Sequence, residues 1–522
     1  MTPSSKTPDF RKGLTAFDLT MIGFGSIFGS GWLFAAARVA DLSGPASIIS
    51  WIIGGIAVVL IGLVYCELGA ALPFAGSVVR YPEQAHGPLA AFLTGSVTTI
   101  AFSSLIAIEI VAARQYADAW FGGLTRNSAG DPTLKGWLLQ FAVLTVIYLL
   151  NRKGIRSFAL VNNIVTFFKF MVPALVIVLL LQHTHGANFT AEHFAPYGLQ
   201  GIETAISAGG VIFAYLGLTP ILSVAGEVQN PQRAIPVALM ASVLMSMIVY
   251  ALLQTAFIGA LPADIIAHGW SGLSQRLPLP FHDIAILLGL GTLAALVVTD
   301  AVLSPTGTGN IYMSATPRVI YAWSRSGTFF KCFTDLNERT GVPEKALTCT
   351  FGLALFWTLP FPSWQALIGV VSSALMLSYA FAPVSAAALR RRQPELPRPF
   401  RLKFFGFLAP AAFIIATLIV IWTGWTTLRW MLPVLLAMTG AFLAHRGMTQ
   451  TKATWQHEFR TGLWMPIYFI GLLAISYASP FDGSGRLSGI TTDVLASVFA
   501  LLIHYYAAYH GLRTSRDHTH SS

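Results

Sequence analysis

The chain has 522 residues, 55% of them hydrophobic and only 10% charged, with 36 phenylalanines and 13 tryptophans. An ordinary soluble globule carries about a quarter of its residues charged, so a water-borne enzyme or scaffold is excluded and an all-α integral membrane protein is expected. The net charge of +10 does not point to nucleic acid. Most lysines and arginines fall in tails and loops on the N-terminus's side of the apolar segments, the asymmetry of a cytoplasmic face.

Met1 to Asp9 is short and polar, and no removable leader is read there. From there the chain divides into about fourteen apolar spans, each near the length of a bilayer core. The first, near Ala16 to Val39, is interrupted by Gly23, Gly25 and then Gly29-Ser30-Gly31. The second ends near Leu72, and the third carries Glu109 and Arg114. These two lie about 140° apart around a helix, so each needs a partner elsewhere. The fifth span places Lys169 about midway along its length, where an ammonium is costly and therefore a functional candidate.

The sixth span, near Ile202 to Gly226, is broken again, by Gly209-Gly210 and by Gly217-Leu218-Thr219-Pro220. Bare backbone is tolerated at membrane depth only where it lines a cavity or is buried in protein. Matched breaks in two halves of a chain mark a transporter's midplane binding site. The eighth span, read as roughly 283–314, is rich in small polar groups, among them Asp300, Ser304 and Thr308. A short amphipathic helix is expected in the connection after it, around Tyr321 to Phe330. The basic, proline-containing stretch Arg390 to Lys403 separates ten core spans from four more, which begin near 405–427 and 430–446.

The expected organisation is a cytoplasmic tail (1–15), a ten-helix core (16–389), a basic linker (390–404), further membrane helices (405–512) and a second cytoplasmic tail (513–522). The core would consist of inverted repeats at 16–182 and 201–389. The three cysteines, Cys66, Cys332 and Cys349, imply no disulfide framework. No nucleotide-binding loop, His-Glu-x-x-His pattern or nucleophile elbow stands out, so no enzyme, cofactor or metal is expected. His183, His185 and His193 in an outer loop are read as solvated.

Four motifs resemble the amino acid–polyamine–organocation superfamily. They are Phe24-Gly25-Ser26-Ile27-Phe28-Gly29-Ser30-Gly31 and Tyr65-Cys66-Glu67-Leu68-Gly69-Ala70 with Pro73 to Ser77. The others are Gly226-Glu227-Val228-Gln229-Asn230-Pro231 through Pro236, and Arg318-Val319-Ile320-Tyr321-Ala322-Trp323-Ser324-Arg325-Ser326-Gly327. Within the superfamily, the chain looks most like the branch of aspartate/glutamate–proton symporters. Fourteen spans rather than twelve, and Trp32 directly after the Gly-Ser-Gly, depart from the pattern.

The resemblance implies a LeuT-type 5+5 inverted-repeat core with discontinuous helices 1 and 6, plus about four additional C-terminal helices. It also implies import of an amino acid by alternating access in the cell membrane. The N–H groups at the start of the outer half-helix, around Ile27, Gly29, Ser30 and Gly31, suit an α-carboxylate. The carbonyls near Phe213 and Ala214, before Gly217, suit an α-ammonium. Phe213, or less well Tyr215, matches an aromatic lid. Arg38 or Arg114 would offer a bidentate fork to a substrate side-chain carboxylate. Lys169 matches the lysine that proton-coupled relatives place opposite the first break, with Glu109, Asp300, Ser304 and Thr308 as companions in proton coupling. An exchanger without proton coupling, a carrier of neutral amino acids or amines, and a non-transporting sensor remain the alternatives. The partners implied are an amino acid, protons and the lipid bilayer, with no nucleic acid.

Overall fold

The computed structural model describes residues 13–74, 76–153, 155–190, 194–449 and 459–512. Most of both tails, and His193, lie outside the described residues. Among the described residues, ten helices are long and apolar enough to cross a membrane, and Ala16–Ile27 and Phe168–Leu181 are shorter apolar helices. The regular structure is helical, with only two isolated β-bridges among the described residues, Leu14 to Val228 and Thr125 to Pro132.

The first span is two half-helices, α1 (Ala16–Ile27) and α2 (Gly31–Ser43), parted by Phe28, Gly29 and Ser30. α1 starts where it does because Thr15 and Asp18 form a capping box, each side chain closing the other's backbone N–H. It ends at Ile27, although the rings of Phe24, Phe28 and Trp32 stay stacked across the break. α3 (Ser47–Ala71) follows, then α4 (Ser77–His86), α5 (Pro88–Phe121), α6 (Leu134–Arg152) and α7 (Ile155–Leu181). α4 is absent from the sequence reading: it is short and polar and has Pro82 inside it. Gly76 opens it at φ +67°, in the left-handed region.

The sixth span is broken twice. α8 (Gly198–Ser207), α9 (Val211–Ala214) and α10 (Leu218–Ser223) are separated at Ala208 to Gly210 and at Tyr215 to Gly217. Gly210 has φ +100°, which explains the glycine there. α11 (Pro231–Gly259) returns across the bundle. It is followed by three short helices, α12 (Ala263–Ala267), α13 (Leu273–Arg276) and α14 (Pro280–Leu287).

α15 (Gly291–Arg325) corrects two boundaries. The eighth span starts later than expected and runs on to Arg325, taking in the first half of the segment read as a separate amphipathic helix. Its 35 residues extend about 50 Å at 1.5 Å each, well beyond a hydrocarbon core of about 30 Å. α16 (Glu344–Trp357) and α17 (Trp364–Arg392) complete the core. α18 (Phe405–Trp422), α19 (Trp425–Thr449), α20 (Trp464–Ala478) and α21 (Gly489–Tyr509) are the additional C-terminal helices. Gly424, at φ +98°, makes the α18–α19 turn earlier than the apolar run suggested.

At the centre, α5 packs along α15 and α17, while α11 packs along α1 and α3. The two sets meet at the breaks. α18 leans on α17, α3 and α21, and α19 pairs with α20. The architecture is the all-α, broken-helix core with extra C-terminal helices that the motifs imply.

Candidate functional site

Each broken helix leaves backbone groups that water would satisfy at a surface and that protein must satisfy in a membrane. The groups that satisfy them define the site. At the first break, Lys169 Nζ on α7 donates to Gly25 O and to Thr308 Oγ1, both at 2.6 Å. The Thr308 hydroxyl on α15 in turn reaches Gly25 O at 3.0 Å. Tyr250 on α11 places its hydroxyl 2.9 Å from Ile27 O and 3.0 Å from Ala214 O, so one side chain links the two breaks. Ser30 N donates to Glu109 Oε2 on α5 at 2.8 Å, and Trp364 Nε1 donates to Ser30 Oγ at 3.0 Å.

The second break is held in the same way. Tyr312 on α15 donates its hydroxyl to Leu216 O at 2.8 Å. Leu218 N donates to the Tyr379 hydroxyl on α17 at 3.2 Å, and Ser26 Oγ donates to Gly217 O at 3.0 Å. A methyl on Gly217 would press into Ile27, and one on Gly31 into Ala214. The two unwound stretches therefore lie against each other, and glycine is needed for that approach.

The structure brings Ile27, Gly29, Ser30, Gly31, Ala214 and Gly217 together, with Lys169, Glu109, Ser304, Thr308 and Asp300 around them. Lys169 is buried and faces the carboxyls of both Glu109 and Asp300. Asp300, Ser304 and Thr308 fall at four-residue spacing along one face of α15. Apart from the neighbouring Ser304, the buried Asp300 carboxyl has no hydrogen-bond partner among the described residues.

Phe213 is buried at the site, its ring edge-on to Trp364 with centroids 5.9 Å apart. Tyr215 is turned into the packing: its hydroxyl donates to Trp51 O at 3.0 Å and its ring meets those of Trp51 and Tyr250.

The two arginines expected as a fork for a substrate side-chain carboxylate lie away from the breaks in this structure. Arg114 is buried, and its guanidinium donates to Gly130 O at 2.5 Å, Pro362 O at 3.1 Å and Thr125 Oγ1 at 3.2 Å. It staples the loop after α5, whose carbonyls would otherwise be unsatisfied. Arg38 pairs with Asp41 at 3.1 Å, half exposed, in a cleft lined by Tyr197, Gly272 and Gln275. That places it at a mouth of the bundle, about two turns along α2 from Gly31.

Tyr250, Tyr312, Trp364 and Tyr379 were missed by the sequence reading. Aromatic residues in membrane helices are common, and their spacing carries no sign of which backbone carbonyl each will meet. The motif residues outside the breaks are ties. Glu227 pairs with Arg318 at 2.9 Å, joining the motif after α10 to the one late in α15. Glu67 accepts from Arg390 at 2.7 and 2.5 Å and from Leu402 N at 2.8 Å.

Two facing breaks, satisfied by side chains from five other helices and ringed by buried titratable groups, define a carrier of the inverted-repeat, broken-helix class. The chain belongs to the amino acid permease family, whose model matches residues 14–428. It is 47% identical to the aspartate-proton symporter of Bacillus subtilis (strain 168), over 97% of this chain and 98% of that protein. It is 36% identical to the glutamate/serine transporter AimA of the same organism, over 95% and 94% of the two chains. A branched-chain amino acid permease, BcaP, also from that organism, is 25% identical over 85% of this chain and 95% of its own.

Proposed function

We propose that this protein imports acidic amino acids, aspartate or glutamate, by alternating access coupled to protons. The observation that carries the reading is Lys169, whose ammonium bridges the carbonyl of Gly25 at the first break and Thr308 on α15. A charge that ties the broken helix to its neighbour changes that tie whenever it gains or loses a proton, so helix movement and protonation are linked. The near-complete match to an aspartate-proton symporter and to a glutamate/serine transporter supports the substrate class.

On this reading the amino-acid head group binds between Ile27 to Gly31 and Phe213 to Gly217, with Phe213 as the lid. Lys169, Glu109, Asp300, Ser304 and Thr308 carry the coupling. The protein lies in the cell membrane with its basic end, where Glu67 meets Arg390, in the cytoplasm. The core spans 16–389, the linker 390–404, and the further helices 405–512. A neutral substrate such as serine is the second reading, favoured by the commitment of Arg114 to loop carbonyls, which removes an expected fork for a side-chain carboxylate.

The test is uptake of labelled aspartate into proteoliposomes with and without an inward proton gradient. Accumulation that requires the gradient and is competed by glutamate but not lysine is the expected result. Stronger competition by serine than by glutamate would replace the substrate class. Lys169→Ala should abolish gradient-driven accumulation, and normal pH-dependent accumulation in that variant would remove the lysine from the coupling.

A further inference from the structure

The N–H at the start of α2 that suits a substrate carboxylate is already occupied. Glu109 Oε2 accepts from Ser30 N at 2.8 Å, and the Glu109 carboxyl lies so close to Gly29 that a methyl there would overlap it. The carboxyl from α5 thus rests on the break in the space a side chain at Gly29 would fill. Glu109 is 1% exposed, so in this position it is anchored by Ser30 N and faced by Lys169.

Resting on the transport reading above, we infer that Glu109 is the carrier's internal stand-in for the substrate's α-carboxylate, and that the two exchange places at the Ser30 N–H. Two carboxylates cannot both occupy one donor at contact distance in a dry site, because their like charges would be uncompensated. Arrival of the substrate anion therefore requires Glu109 to take a proton. A proton from water on the side of arrival forms an O–H bond on Glu109. The Ser30 N–H bond to Oε2 breaks, and the same N–H bonds the substrate carboxylate instead. One anion replaces another, so the charge facing Lys169 is unchanged. On release the steps reverse: the substrate leaves, Glu109 loses its proton to the opposite side and returns to Ser30. One proton then accompanies each amino acid because the two carboxylates exclude each other.

The titratable groups around Glu109 fit this exchange. Lys169 faces it from α7, Tyr250 from α11 and Tyr312 from α15, with Asp300 on α15 behind Lys169 and Tyr379 on α17 behind Tyr312. On α5 itself, the Tyr116 hydroxyl donates to Leu33 O at 3.0 Å, near the carboxyls of Asp283 and Asp300. From α1 and α2 the break presents backbone and the hydroxyls of Ser26 and Ser30, with no titratable side chain among the described residues. No second cation among these groups is available to neutralise a second carboxylate.

The experiment counts protons. Full-length protein in lipid nanodiscs is titrated with aspartate calorimetrically at neutral pH and above, in buffers of different ionisation enthalpy. Proton uptake per aspartate that rises with pH toward one is expected for the native protein. For Glu109→Gln, aspartate binding should persist with almost no linked proton and a flat pH profile. The same proton uptake in Glu109→Gln as in the native protein overturns the exchange and leaves the transport reading standing. Native protein that binds aspartate without proton uptake does the same. If Glu109→Gln shows no cooperative melting, Glu109→Asp decides. Its carboxylate is drawn back from Ser30 N, so aspartate should bind tighter at high pH, and an unchanged profile overturns the proposal. Native protein that binds no aspartate defeats the substrate reading instead, and serine in the same titration then decides Glu109.

Discussion

Lys169 is defined by what it touches. Its two 2.6 Å contacts, to Gly25 O and Thr308 Oγ1, come from different helices, so removing either loosens a junction rather than a single element. A hydrogen bond to a buried charge is worth about 1.5–3 kcal/mol. Thr308→Val keeps the shape and removes that bond, and gradient-driven accumulation should fall by roughly one to two orders of magnitude, at 1.4 kcal/mol per tenfold. Thr308→Ser should recover most of it, and full activity in Thr308→Val would show that Gly25 O alone holds the ammonium. The sequence shows that Lys169 and Glu109 are intramembrane charges, because the cost of burial makes them conspicuous. It also shows that Glu109 and Arg114 point apart. It does not show that Arg114 turns to a loop, because guanidinium partners there are backbone carbonyls that leave no trace in residue identity.

Among the helices, the ties at the basic end carry the closure. Gly13 N and Leu14 N both donate to Glu227 O, at 2.9 and 3.0 Å, and Gln229 N returns a bond to Leu14 O at 2.8 Å. The segment before α1 is thus laced to the segment after α10, and the Glu227–Arg318 pair pins both to α15. Alternating access requires this lacing to open. In Glu227→Gln the pinning charge is lost while the backbone bonds remain, so the amides of Gly13, Leu14 and Gln229 should exchange with deuterium several-fold faster than in the native protein. Unchanged exchange would show that the backbone ladder alone sets the closure. The two motifs that contribute Glu227 and Arg318 are each legible in the sequence. Their meeting is not, because about ninety residues and two crossings of the bundle separate them.

For the whole molecule, Glu67 is the joint between the core and the basic linker that leads to the C-terminal helices. Its carboxylate takes Arg390, faces Arg398 at 3.5 Å and accepts from Leu402 N, while its side chain is 3% exposed. Breaking a buried pair by removing one partner costs about 3–5 kcal/mol. Glu67→Ala should therefore lower the melting temperature in detergent clearly, whereas Glu395→Ala on the same linker, outside any ion pair among the described residues, should not. Equal melting temperatures for the two would argue that the linker is held by other contacts. The C-terminal helices are also attached at this end. Leu512 N donates to Ala85 O at 2.8 Å, Thr461 Oγ1 donates to His86 O at 2.9 Å, and Arg392 bonds Tyr509 O. The sequence reading names no partner for α20 and α21, since it has no view of the short helix α4 that receives them.

By itself the sequence determined the class of this protein. Apolar runs of bilayer length, matched glycine breaks and the asymmetry of basic loops follow from the cost of exposing backbone and charge to lipid, and that cost is written locally, residue by residue. Tertiary structure alone decided which groups satisfy the broken backbone: Lys169 and Thr308 at Gly25, Tyr250 across both breaks, and Glu109 on the N–H that suits a substrate carboxylate. Those partners come from helices distant in the chain, and their choice depends on packing angles and helix rotation, which no local pattern records.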